Sequence, residues 1–196
     1  MLVSYAGMLL GYVNKGLLFI WLLSTEEIGL INLLVSIGLL FGNLSGLGST
    51  YAIWKFFPFL RNPEKKHHGI LLLTVVVALF GTLLFTLAVF LFRPEIAALY
   101  GKKSALFVDY YYWIIPLGFA NVLFLVLDAF LRSLYYNVIS VFVYELVLRV
   151  LISVLLLLFG TGLLSFDSFL VLHCLMYFVP VVVLACYSLP FNPAQV

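Results

Sequence analysis

Between Gly11 and Pro58 the chain reads GYVNKGLLFIWLLSTEEIGLINLLVSIGLLFGNLSGLGSTYAIWKFFP, two long apolar runs separated only by a polar corner at residues 24–27. At ~1.5 Å per helical residue, each run is long enough to cross a ~30 Å hydrocarbon core. The corner is therefore a turn at a membrane face, and the hairpin predicts an integral membrane protein.

The hairpin carries polarity where lipid does not favour it. Asn14 and Lys15 fall in the middle of the first run, and Asn32, Ser36 and Asn43 lie along the second. A charge at mid-bilayer costs at least ~2.5 kcal/mol, so Lys15 is expected to face a polar cavity or a partner. At ~100° per residue, Asn32, Ser36, Asn43 and Thr50 fall within about 40° of one another, one polar stripe. Gly38, Gly42 and Gly46 form two overlapping G-x-x-x-G units on an adjacent ridge. Gly7 and Gly11 form another, on the face of Lys15, so close helix packing is expected beside the polar groups.

Composition extends this reading to the whole chain. Hydrophobic residues make up 65% and charged residues 9%, with a mean hydropathy of +1.23. A soluble domain carries about 25% charged residues, so the fold class is all-α, a polytopic membrane helical bundle. A net charge of +2, scattered along the chain, excludes a nucleic-acid partner. Cys174 and Cys186 fall in one helix ~18 Å apart, too far for a disulfide. Met1-Leu2-Val3 enters the first run without a basic lead or cleavage site, so that helix is expected to be retained.

Six membrane helices are expected, at about 2–23, 28–58, 69–92, 108–131, 138–159 and 166–189, forming a single transmembrane lobe over 1–196. The second is longer than a straight span needs. It tilts, breaks near Gly46-Leu47-Gly48, or ends at headgroup level in Trp54-Lys55-Phe56-Phe57, and Lys55 is read as interfacial. Pro94 starts a short helix to Tyr100, and Pro116 with Gly118 licenses a kink in the fourth span. Asn121, Asp128 and Arg132 share one face of that span. Asp128 and Arg132, at i, i+4, read as a structural ion pair near the membrane boundary. Glu145 and Arg149 repeat the spacing deeper in the fifth span and must face protein or water.

His173 reads as a packing residue. Adjacent His67 and His68 point different ways with no third ligand near, so no metal and no cofactor are expected. With both termini inside, the inner loops carry Arg61, Lys65, Lys66 and Arg132 against Arg93, Lys102 and Lys103 outside. Termini on the cytoplasmic side follow.

The hairpin also resembles a known family. The runs Tyr12-Val13-Asn14-Lys15-Gly16, Trp21-Leu22-Leu23-Ser24-Thr25-Glu26-Glu27-Ile28-Gly29-Leu30, Leu44-Ser45, Leu47-Gly48 and Trp54-Lys55-Phe56-Phe57-Pro58 carry the likeness. They resemble the oligosaccharide flippase (polysaccharide biosynthesis protein) branch of the multidrug/oligosaccharidyl-lipid/polysaccharide exporter superfamily, over roughly residues 1 to 70. The resemblance implies a pair of six-helix lobes around a central cavity. Together they move a lipid-linked oligosaccharide of the undecaprenyl-diphosphate type across the bacterial inner membrane by alternating access. Such proteins are about twice this length, so the chain is expected to be the first lobe only, with the second lobe absent or supplied by another copy.

In that frame Lys15 is comparable to the cationic cavity residue of related lipid-linked-precursor flippases and would neutralise the diphosphate. Asn14, Asn32, Ser36 and Asn43 are the other cavity candidates, with amides and a hydroxyl suited to sugar hydroxyls, while the lipid tail stays among membrane lipid. The Glu145–Arg149 pair is either a gate, an ion-coupling pair or scaffold. Two alternatives remain: a multidrug/cation antiporter of the same superfamily, which would want acidic residues facing its cavity, and a non-transporting fragment or scaffold. An enzyme is disfavoured, because Glu26-Glu27 sits in a loop of about four residues. There Ser24 or Thr25 caps the second helix and the glutamates favour its dipole.

Overall fold

The computed structural model describes residues 2–62, 66–100 and 105–188. Every regular element among them is helical, and six helices are long and apolar enough to cross a membrane. These are α1 (Val3–Leu22), α2 (Thr25–Ser45), α4 (Ile70–Leu91), α6 (Tyr111–Ser133), α7 (Asn137–Gly160) and α8 (Phe166–Ser188). The shorter helices between them include α3 (Ser49–Leu60) and α5 (Arg93–Tyr100). The protein is a multi-pass membrane helical bundle. Residues 63–65, 101–104 and 189–196, with Lys65, Lys102, Lys103 and the end of the last expected span, lie outside the described residues.

The corner between α1 and α2 is closed by local chemistry. Ser24 Oγ accepts from the Glu27 amide at 3.3 Å, and the Glu27 carboxylate accepts from the Ser24 amide at 2.7 Å. This is a capping box, which satisfies two amides that the first turn of α2 leaves open. Ser24 thus plays the capping role for which Thr25 was the alternative. Ser165 does the same for α8, accepting from the Ser168 amide.

The expected 28–58 span is two helices. It breaks at Gly46-Leu47-Gly48, where Leu47 has φ 46° and Gly48 φ 81°, a left-handed step that an α-helix cannot pass through. The consequence is that Thr50 belongs to α3 and drops out of the stripe on α2. Lys55 and Trp54 are exposed on α3, the lysine 5.6 Å from the Phe56 ring centroid.

α6 is the central post. In its most apolar stretch 72% of residues are buried, against 17–39% for the other five spans. The glycine ridge of α2 packs on it. A Cβ at Gly38 would stand 2.8 Å from the Leu117 Cβ, and one at Gly42 would collide with Asn121. The small-residue repeat therefore marks the α2–α6 seam. Pro116 falls in the first α-helical turn of α6, behind a 3-10 turn at Tyr111–Trp113. A missing N–H there costs no interior hydrogen bond, so it starts the helix rather than kinking its middle.

Buried Leu30, Leu34, Ile114, Leu155 and Phe169 join α2, α6, α7 and α8 in the main core. A second core, Ile53, Phe57, Ile70 and Val126 among its members, seats α3 and α4 on α6. The outer side of α4 leaves Leu72, Phe80, Leu83, Leu87 and Phe90 exposed, an apolar band of the kind lipid covers. The connections fall at two ends. Arg61 lies over the Tyr135 ring at one, and Arg93 over the Tyr112 ring at the other. At the latter end Tyr110 donates to the Asp167 carboxylate, a hydrogen bond that, with burial, pushes the phenol up to about 12.

Candidate functional site

α1 and α7 run parallel in register: a Cβ at Gly7 would stand 2.7 Å from the Glu145 carbonyl, and one at Gly11 would strike the Arg149 guanidinium. The first-helix glycines thus make the space in which the Glu145–Arg149 pair lies. Each helix carries one π-helical turn, Asn14–Leu18 in α1 and Val143–Val147 in α7. A π turn widens the helix by one residue and often accompanies functional positions. Here the turns hold Asn14 and Lys15 on one side and Tyr144 and Glu145 on the other.

Asn14 is 3% exposed and is held by α7. Its Nδ2 donates to the Arg149 carbonyl at 2.9 Å, and Ser153 Oγ lies 2.6 Å from its Oδ1. The Arg149 side chain pairs with Glu145 and also donates to the Gly7 carbonyl. Lys15 extends toward α2, its Nζ 3.4 Å from Asn32 Oδ1. His173 of α8 faces the same space, with its ring near Phe19, Phe169 and Tyr177 at centroid distances of 6.5, 5.8 and 5.7 Å. Neither of its nitrogens has a hydrogen-bond partner.

These residues enclose a cavity of about 350 Å³ between α1, α2, α7 and α8. Its polar lining is Asn14, Lys15, Asn32, Tyr144, Arg149, His173 and Tyr177, and among the described residues no carboxylate lines it. Two basic side chains, Lys15 and the Glu145-paired Arg149, therefore face a chamber flanked by apolar spans. Such a chamber favours an anionic group, with the Asn32 amide and the two phenols beside it for hydroxyls.

The sequence candidates divide at this point. Lys15, Asn14 and Asn32 come together along the cavity, Asn14 buried and the other two exposed at its mouth, whereas Ser36 and Asn43, also exposed, lie further along α2 and do not line it. Asn43 turns back on its own helix, donating to the Leu39 carbonyl at 2.8 Å. A helical stripe reports direction only. How far the neighbouring helices extend beside it decides which members line a cavity.

Both i, i+4 ion pairs are present, Arg132 Nε lying 2.7 Å from Asp128 Oδ2. They share a second cavity of about 460 Å³, which also takes in Ser4, Ser140 and Tyr144. Arg149 and Tyr144 line both chambers and form the wall between them. Asn121, read on the face of Asp128 and Arg132, instead turns to α2 and donates to the Leu39 carbonyl at 3.3 Å.

Sequence reasoning assigned His173 to packing and did not single out Tyr144, Ser153 or Tyr177. One signal was present for part of this group. Pro180 has no N–H for the Met176 carbonyl, and α8 is interrupted at Tyr177, between Phe166–Met176 and Phe178–Ser188. That interruption lies one turn from His173, at the cavity wall. No family model, no curated protein and no solved structure matches this chain.

Proposed function

We propose that the chain is a flippase lobe that carries a lipid-linked oligosaccharide across the bacterial inner membrane by alternating access. The observation that carries this reading is the chamber lined by Lys15 and Arg149 with no carboxylate in its described lining, set in a bundle of apolar spans. A diphosphate linker supplies the counter-charge, sugar hydroxyls meet Asn32 while Asn14, held by α7, positions Lys15, and the polyprenyl tail stays in lipid. Exposed Ser36 and Asn43 at membrane depth need protein or water beside them. That need supports a facing lobe, either a further segment or another copy of the chain. The oligosaccharide path then runs between the two.

The positive-inside preference supports termini on the cytoplasmic side. In that orientation the second cavity, with Asp128 and Arg132 near the end of α6 that leads to Tyr135, opens toward the cytoplasm. A cation antiporter would need acidic groups free in its chamber. The carboxylates nearest here, Asp128 and Glu145, are both taken by arginines.

The test is reconstitution into liposomes holding a polyprenyl-diphosphate oligosaccharide with a fluorescent sugar, read by a membrane-impermeant quencher. Lys15→Ala is expected to slow translocation at least tenfold and Lys15→Arg to preserve most of it. Equal rates for these two and the unaltered protein would remove the cationic chamber from the mechanism.

A further inference from the structure

His173 is 3% exposed, lines the 350 Å³ cavity, and has both ring nitrogens unpaired. Buried polar groups in folded proteins are nearly always hydrogen-bonded, and those that are not call for a specific account. The groups around this imidazole can be named element by element. α1 presents Lys15, Asn14 and Phe19, α2 presents Asn32 and Ile31, and α7 presents Tyr144 and Arg149. Its own helix adds Tyr177, with Phe169 and Cys174 buried alongside. Glu145 reaches Arg149 from the second cavity and does not line the first. The chamber it lines therefore holds the Lys15 amine, the Glu145-paired Arg149, two amides and two phenols. No acceptor holds the ring.

We propose that His173 is a ligand-binding residue of this cavity, contacting the same anionic group as Lys15 and taking up a proton when that group binds. This deepens the flippase reading and rests on its anionic ligand. The chemistry follows from the donor inventory. A diphosphate diester offers only acceptor oxygens, so every group that touches it must donate. Neutral imidazole has one N–H, whereas imidazolium has two and adds a charge-assisted bond. The Arg149 charge is already met by Glu145, so a protonated imidazole beside Lys15 would lack a counter-charge, and the arriving anion supplies it. The proton comes from solvent and goes to the free ring nitrogen. No bond in the ligand is made or broken.

By linkage, a group protonated in the complex but not in the free protein makes binding tighter as pH falls, by up to about tenfold per pH unit for a single proton. The phosphodiester oxygens of such a ligand do not titrate near neutrality, so the slope belongs to the protein. Tyr144 and Tyr177 add donors without adding charge. Among the described lining residues the imidazole is thus the side chain whose ordinary titration range lies nearest neutral pH.

The experiment uses the protein in nanodiscs with two probes, a symmetrical dimethyl diphosphate diester in solution and a prenyl diphosphate diester placed in the bilayer. Calorimetry in buffers of different ionisation enthalpy counts protons taken up, and imidazole nitrogen NMR of the unaltered protein reports the ring directly. The expected result is uptake of about one proton per ligand, a shift of the His173 signals to the doubly protonated form, and loss of the proton uptake and pH slope in His173→Gln. Uptake with the soluble probe alone would identify a free anion, and with the bilayer probe a lipid headgroup; either supports the role of His173. Binding without proton uptake and with an unchanged imidazole spectrum overturns the proposal and leaves the cationic chamber intact. Uptake that persists in His173→Gln also overturns it. Absence of binding by the unaltered protein to both probes overturns the chamber reading and this proposal together. Because the NMR measurement needs no variant, a misfolded His173→Gln does not block the test.

Discussion

Asn14 of α1 donates its side-chain amide to the backbone carbonyl of Arg149 in α7, 2.9 Å away and 135 positions along the chain. Ser153 Oγ approaches both, at 2.6 Å from Asn14 Oδ1 and 2.9 Å from the Arg149 carbonyl. This cluster fixes the depth of α1 against α7, and with it the position of Lys15, the next residue. Asn14→Leu is expected to destabilise the protein by about 1–3 kcal/mol, because the Arg149 carbonyl loses its Asn14 donor and an apolar group is set against the Ser153 hydroxyl. Ser153→Ala removes a hydroxyl but leaves the amide bond to Arg149, so it is expected to cost less. Thermal unfolding in detergent, followed by tryptophan fluorescence, measures both. An Asn14→Leu protein as stable as the original would mean that the cluster does not hold the helices.

The α1–α7 seam depends on the absence of a side chain at Gly7, where a Cβ would stand 2.7 Å from the Glu145 carbonyl. Gly29 of α2 gives the contrast, since a Cβ there would meet nothing within 4 Å. Gly7→Ala is expected to lower stability by about 1–3 kcal/mol through overpacking against backbone. Gly29→Ala is expected to raise it by up to about 1 kcal/mol through helix propensity. If Gly7→Ala leaves the melting temperature unchanged or raises it as Gly29→Ala does, the close approach at Gly7 is wrong.

Asp128 is nearly buried, while the side chain of its partner Arg132 is 48% exposed. Losing the arginine strands a desolvated carboxylate, whereas losing both charges does not. Arg132→Leu alone is therefore expected to cost on the order of 1–3 kcal/mol, and adding Asp128→Asn to recover part of it. A double-mutant cycle on unfolding free energy reads the coupling. Zero coupling would reduce the pair to a surface contact, of the sort worth under about 1 kcal/mol.

His67 lies outside the spans, in the turn before α4, with its ring 5.1 Å from that of Phe57 and 6.0 Å from that of Phe130. Burial, then the nearby Arg61, holds its imidazole below the usual range. The unfolded chain therefore binds the proton at higher pH than the folded one. Stability from this group is complete above the unfolded value of 6.5 and is lost as pH falls through the folded one. The expected outcome is a melting temperature that falls on acidification from about pH 7 to 5. In His67→Asn, which tolerates the φ of 52°, that increment should be missing. A wild-type curve flat over this range would exclude His67 as the titrating group.

Much of the architecture is legible from local pattern. Apolar runs of membrane length placed the six spans, because hydropathy and length are properties of a segment by itself. The Ser24–Glu27 capping box is likewise local, its partners three residues apart. The break at Gly46–Gly48 was one of three options for an overlong run. The choice among them depended on how α3 could seat Ile53 and Phe57 on α6.

The candidate site was legible only in part, and His173 shows why. A lone histidine in an apolar helix reads the same whether it packs or lines a chamber, since the difference lies in which atoms stand opposite its nitrogens. Those atoms come from α1, α2 and α7, far away in the chain. Ser36 and Asn43 make the converse point: they share a stripe with Asn32, yet neither lines the cavity.

The sequence by itself determined a helical membrane bundle, its span count, its first cap and the small-residue faces on which helices meet. Periodicity and composition act within one segment and need no partner. Only the tertiary structure decided that Gly7 and Gly11 make room for Glu145 and Arg149, that Lys15 and His173 face one chamber, and that Arg149 divides it from a second. Enclosure is a property of surfaces brought together from distant segments. Its charge balance therefore appears only when α1, α2, α7 and α8 are side by side.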